Sequence, residues 1–163
     1  MESFSWTSSL GLGVALFLAA GAFQVLICVL TAAFVLSGGG GNALFFTERS
    51  DTGAYGKPPA EIVASEPGVD TYRHVVWLTW AAFLGAVGVM EAAVAWFGLR
   101  EGASWALAVL AVEAVLLAVF WAAIIGIYLG KGAAVSLGDV PPLMWLTMAL
   151  HAPALVLAWR GLS

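Results

Sequence analysis

The chain has 163 residues, of which 62% are hydrophobic and only 10% charged, with a net charge of −4. Soluble domains carry about 25% charged residues, so lipid rather than water must cover this much apolar surface. The length allows one small bundle without a separate soluble domain, and no basic patch points to nucleic acid.

Four apolar stretches each match the roughly 20 residues that cross a hydrocarbon core of about 30 Å. They predict an all-α membrane protein, a single domain of four transmembrane helices in an antiparallel bundle, with a long loop between helices 1 and 2. The first span covers about 10–36. Its start, Met1-Glu2, lacks the basic region of a secretory leader, and its apolar run exceeds a leader's roughly 7–15 residues. It is therefore expected to remain as a helix. Cys28 is the chain's single cysteine, which excludes a disulfide within this sequence and reads as packing on an apolar face. The run Gly38 to Gly41 ends the span as a flexible hinge. No Gly-Lys-Ser/Thr follows it, so it is not a phosphate loop.

The connection 37–71 is longer than antiparallel helices need, and loops beyond about 15 residues tend to be functional or disordered. A lid or a docking surface is one expectation, a solvated connector the other. Leu44-Phe45-Phe46 is expected to dip into the membrane interface. Pro58, Pro59 and Pro67 favour extended segments, and Glu48, Asp51, Glu61, Glu66 and Asp70 make the loop acidic.

Span two is expected over about 72–99, closed by Arg100-Glu101-Gly102, and span three over about 103–129, followed by Gly130, Lys131 and Gly132. Span four is expected over about 141–159, with Pro141 in its first turn, where a missing N–H costs nothing, and Asp139 as its cap. Tryptophans support this parsing. Trp6, Trp96, Trp105 and Trp159 fall at the ends that four crossings place on one side, and Trp77, Trp80 and Trp145 near the other, as interfacial belts do. Trp121 fits neither belt and is expected to pack between helices. Both termini then share a side. Arg49, Lys57, Arg73 and Lys131 outnumber Arg100 and Arg160, which puts the loop 37–71 in the cytoplasm. Small-residue spacing predicts close helix contacts at Gly85, Gly88 and Ala92 and at Ala122, Gly126 and Gly130. No repeat relates the two halves, which counts against an inverted-repeat transporter.

Three spans carry an ionisable side chain well inside. At about 1.5 Å per residue from the tryptophan anchors, Glu113 and His151 each lie roughly 12 Å deep and Glu91 about 8 Å. On span one, Gln24 shares a face with Cys28 and Thr31 and lies somewhat deeper. Ionisable groups at such depth are costly unless they meet a partner or a cavity. Glu91, Glu113, His151 and Gln24 are therefore the candidate polar cluster. Pro153 removes a backbone hydrogen bond to the Ala149 carbonyl and is expected to kink span four beside His151. Three readings compete for the cluster: an interhelical clamp, proton or ion handling, and a metal site. Two glutamates and one histidine fall short of the bundle di-metal set, and a mononuclear site needs Gln24, water or a partner to complete it. No metal ligand is assigned from the sequence, and no cofactor is identified. A haem held by both histidines conflicts with His74 lying near the opposite surface. Arg73 and His74 form a possible interfacial site.

Gly-x-Ser-x-Gly, His-Glu-x-x-His, P-loop and Cys-x-x-Cys-His motifs are all lacking, and no catalytic residue is identified. Four spans with a long first loop are similar in outline to the membrane-associated glutathione and eicosanoid enzyme family. The stretch Val69-Asp70-Thr71-Tyr72-Arg73-His74-Val75-Val76 lacks that family's Glu-Arg-rich motif and downstream Asn, so the resemblance implies topology alone. The expected function is a non-catalytic integral-membrane subunit of a larger or self-assembled complex, possible in energy transduction. Its expected partners are the lipid bilayer and other membrane subunits or further copies. The rivals are a proton or ion conductor using the cluster, and a small membrane enzyme acting on a lipophilic substrate such as a quinone or lipid.

Overall fold

The computed structural model describes residues 4–39, 41, 43–140 and 142–163. Its helices are α1 (Ser9–Leu36), α2 (Glu48–Tyr55), α3 (Pro59–Ser65), α4 (Pro67–Phe97), α5 (Ser104–Gly130) and α6 (Pro142–Leu162). A 3₁₀ turn, Leu99–Glu101, joins α4 to α5, and no strand occurs among the described residues. Three helical stretches are long and apolar enough to cross a membrane: Ser9–Leu36, Gly68–Glu101 and Ser104–Gly130. Gly40 of the glycine run and Pro141, the expected first residue of span four, lie outside the described residues.

Local chemistry sets several boundaries. The Ser8 side chain caps α1 by accepting from the Gly11 amide at 3.0 Å. Pro67 opens α4, so this helix begins before the expected boundary near Tyr72. The connection expected as loop 37–71 therefore contains α2, α3 and the first turn of α4. Thr47 caps α2 and Gly56, at φ 75°, ends it in the left-handed conformation that suits glycine.

Helix α1 lies centrally, packed along α4 and α6, while α5 touches α4 and α6 far more sparsely. Glycine makes the α1–α4 contact. A Cβ added at Gly21 would fall 2.5 Å from the Gly88 carbonyl oxygen, and one at Gly88 would fall 2.6 Å from that of Gly21. A Cβ at Gly85 would meet Cys28 Sγ at 2.7 Å, and one at Gly13 the Ala158 nitrogen on α6 at 2.8 Å. The expected contact at Gly85, Gly88 and Ala92 is thus made against Gly21, Gln24 and Cys28. The stripe on α5 differs: a Cβ at Gly126 or Gly130 would meet nothing within 4 Å. Only 6% of the apolar window of α5 is buried, against 33% for α1 and α4, so most of its surface is left for lipid or another protein.

One apolar core, with Val14, Phe17, Leu99, Leu110, Ala154 and Ala158, fills the end of the bundle where Gly161 lies against Leu10. There Arg100 stacks over Trp96 at 4.4 Å and reaches the Phe4 ring at 5.5 Å.

Two carboxylates fasten the first connection to the opposite end. Asp51 is wholly buried. Its Oδ2 accepts from the Leu44 and Phe45 amides at 2.6 and 3.0 Å, and its Oδ1 from the Tyr128 hydroxyl at 2.7 Å. Phe46 consequently turns onto α5, 4.6 Å from the Tyr128 ring and stacked 6.1 Å from Trp121. Phe46 is thereby buried against α5, and Trp121 packs on the first connection while also bordering the space between α4, α5 and α6. Asp139, expected as the cap of span four, accepts from the Ser136 amide and hydroxyl, both at 2.7 Å, and from Thr47 Oγ1 at 2.8 Å. Trp77 Nε1 donates to the Leu44 carbonyl at 3.1 Å, and Trp145 Nε1 to that of Leu137 at 3.0 Å.

Two predictions follow from these contacts. Gly88→Ala forces α1 and α4 apart and costs about 1–3 kcal/mol in detergent, whereas Gly126→Ala, in open space, is neutral or stabilising by under about 1 kcal/mol. Thermal unfolding checks the contrast, and equal effects would contradict the packing. The Ser136 hydroxyl and amide, with Thr47, hold the Asp139 carboxyl below the usual carboxylate range. Its contribution to stability is therefore present above its unfolded pKa of about 4 and is lost as pH falls below that value. Asp139→Asn removes this contribution, so its melting temperature should fall less than the wild type's between pH 5 and pH 3.

Candidate functional site

Each of the four long helices sends one polar side chain to the same interior point. Gln24 comes from α1, Glu91 from α4, Glu113 from α5 and His151 from α6. Gln24, Glu91 and His151 are buried, at 0%, 1% and 3% exposure, and Glu113 is half-buried. The glycine contact explains the reach of the first pair. With Gly21 against Gly88, the α1 and α4 backbones lie close enough for Gln24 Nε2 to donate to Glu91 Oε2 at 2.5 Å.

Histidine 151 is held on two sides. Its Nδ1 lies 2.8 Å from the Thr147 carbonyl oxygen, one turn back on α6. A carbonyl only accepts, so Nδ1 carries a hydrogen and donates it. The Phe17 ring meets the imidazole edge-on at 5.7 Å. This fixes Nε2 3.2 Å from Glu91 Oε1, where the two form an ion pair when the ring is protonated and face each other as acceptors when it is neutral. Neither atom has a hydrogen-bond partner among the described residues, and the same holds for Glu113 Oε1 and Gln24 Oε1. The ligand atoms of Glu91, Glu113 and His151 all lie within 4.8 Å of one another.

The electrostatics of this arrangement are unfavourable without a positive charge. Two carboxylates and an imidazole nitrogen converge where few water dipoles screen them, and unpaired buried charge costs several kcal/mol per ion, as an order of magnitude. A cation among these atoms removes the repulsion. Pro153 lies two residues beyond His151 within α6, which continues to Leu162.

The cluster also borders space. A cavity of about 260 Å³ runs from Trp80 and Trp121 to Gln24 and His151. A second, about 220 Å³, shares Trp80 and Trp121 and reaches Thr47 and Asp139 near the first connection. Trp80 and Trp121 thus stand between a cavity at the cluster and one at the end of the bundle that Asp51 and Asp139 fasten.

The sequence placed Gln24, Glu91, Glu113 and His151 in one group, and the fold brings them together. Arg73 and His74 stand apart from it. Arg73 forms an ion pair with Asp70 and donates to the Gly41 and Ala43 carbonyls at 3.0 and 3.3 Å, binding the first connection to α4. His74 lies beside the same Asp70 at 4.0 Å. Asp51, Tyr128 and the Thr147 carbonyl were not legible as partners, because none falls in a motif and each acts across the fold or through its backbone. Comparison with family models, curated proteins and solved structures gives no match for this chain.

Proposed function

We propose that this is a multi-pass membrane protein with four crossing helices, which holds a cation at Gln24, Glu91, Glu113 and His151 and passes it through the bundle. In this reading α6 is the fourth crossing helix: its 21 residues rise about 32 Å, enough for a hydrocarbon core of about 30 Å. Both termini then lie on one side, and the connection 37–71 faces the cytoplasm, where its basic residues belong.

One observation carries the reading. His151 Nε2, its other nitrogen committed to Thr147, stands 3.2 Å from Glu91 Oε1, with the Glu113 carboxylate within 4.8 Å of both. A clamp evolved only to join helices would pair donors with acceptors. Here an imidazole nitrogen and two carboxylates converge, acceptors facing one another whenever the ring is neutral, which suits a site built for a proton or another positive charge, and intramembrane carboxylates and histidines are the usual relay groups. Movement of Trp80 or Trp121, which line both cavities, would open an approach from the Asp139 end.

A second reading is favoured by α5. Val112, Val115, Val119, Phe120 and Ile127 are exposed along it, and Gly126 and Gly130 open its surface to close approach. That face suits a neighbouring membrane subunit or a second copy, which keeps the protein's role as a complex subunit alongside its own site.

The purified chain in liposomes should carry a proton or metal-cation flux down an imposed gradient, and Glu91→Gln or Glu113→Gln should cut it at least tenfold. Flux equal to that of empty liposomes, or unchanged in both variants, would remove the proposal. Co-purification in mild detergent tests the subunit reading separately.

A further inference from the structure

We infer that Glu91, Glu113 and His151 bind a divalent first-row transition metal, of the Zn²⁺ class, in the middle of the membrane bundle. The inference rests on reading the cluster as a cation site and names the cation.

Geometry comes first. Bonds of about 2.0–2.1 Å around a tetrahedral Zn²⁺ place neighbouring ligand atoms about 3.4 Å apart. His151 Nε2 and Glu91 Oε1 already stand at 3.2 Å. The Glu113 carboxylate lies within 4.8 Å of both, on the loosely packed α5, so a small shift of one helix or side chain completes three ligands. The fourth position is open to water, a substrate or Gln24 Oε1, a buried acceptor without a partner among the described residues.

The outer contacts agree. Metal-binding histidines donate their second N–H to a carbonyl or carboxylate, and ligating carboxylates are themselves hydrogen-bonded. His151 Nδ1 donates to the Thr147 carbonyl, and Gln24 Nε2 donates to the far oxygen of Glu91. Each contact turns the remaining lone pair toward the shared point.

Charge agrees as well. Two carboxylates, a neutral imidazole and a divalent ion sum to zero, which suits a site away from water better than a monovalent ion does. The donor set selects among divalent ions. Mg²⁺ and Ca²⁺ favour all-oxygen shells, whereas imidazole with carboxylates suits Zn²⁺, Mn²⁺, Fe²⁺ or Co²⁺.

The test titrates metal-stripped, full-length protein in mild detergent with Co²⁺, read by its visible absorption, and then displaces it with Zn²⁺. The expected result is one Co²⁺ per chain with the intense bands of a low-coordinate site, displaced by Zn²⁺. Glu113→Gln and Glu91→Gln, each checked for retained helicity, should weaken binding at least tenfold, and Gln24→Ala about 10- to 100-fold through the lost hold on Glu91 and the vacated fourth position. Absence of stoichiometric binding, or binding unchanged in both glutamate variants, overturns the inference. Liposome flux separates the two failures. A Glu113-dependent proton flux without Co²⁺ binding leaves a cation site that handles protons, whereas loss of both removes the site altogether.

Discussion

An imidazole nitrogen held 3.2 Å from a carboxylate oxygen, inside strongly apolar helices, is the constraint on which this structure turns. Water would screen such a contact, but hydrocarbon does not. The surrounding helices have to build the contact, and a positive charge on the ring or shared between its partners would stabilise it. The α1–α4 crossing does the first task. Gly21 and Gly88 bring two backbones so close that Gln24 reaches Glu91 and fixes which carboxylate oxygen faces His151. On α6, the Thr147 carbonyl and the Phe17 ring fix the other partner. Helix α5, which brings Glu113, is the least constrained of the four. A site with two rigid ligands and one on a loosely packed helix is suited to admitting and releasing an ion.

The opposite end of the bundle is organised by carboxylates used differently. Asp51 gathers the amides of Leu44, Phe45 and Phe46 and the Tyr128 hydroxyl, so both of its oxygens face donors. Asp139 does the same with Ser136 and Thr47. These are satisfied anions that hold the first connection over α5 and beside the second cavity. The contrast sharpens the reading of the interior cluster. In one chain, two buried aspartates are surrounded by donors, while Glu91 Oε1, Glu113 Oε1 and His151 Nε2 converge with no hydrogen-bond partner among the described residues.

Much of this was legible in the residues. Span length follows from hydropathy, and tryptophans fix depth well enough to show that Glu91, Glu113 and His151 lie at a common level. Depth alone restricts which groups meet, because a bundle of four helices leaves little room between residues at one level. Other features depend on pairing that a pattern does not carry. Gly85 and Gly88 share the spacing of Gly126 and Gly130, yet only the first pair is used against α1. Short helices α2 and α3 were hidden by their prolines and acids, which also suit an extended loop. The Asp51–Tyr128 bond joins residues far apart in sequence, so neither side chain announces the other.

The central claim, that Glu91 and His151 are coupled through one shared cation, is tested most directly by a double-mutant cycle on thermal unfolding, using Glu91→Gln, His151→Gln and the double variant in one detergent. The account predicts that the double variant departs from the sum of the single changes by at least about 1 kcal/mol, because either single change already removes the shared interaction. Strict additivity within about 0.3 kcal/mol would contradict it, since side chains that do not share a charge lose their contributions independently.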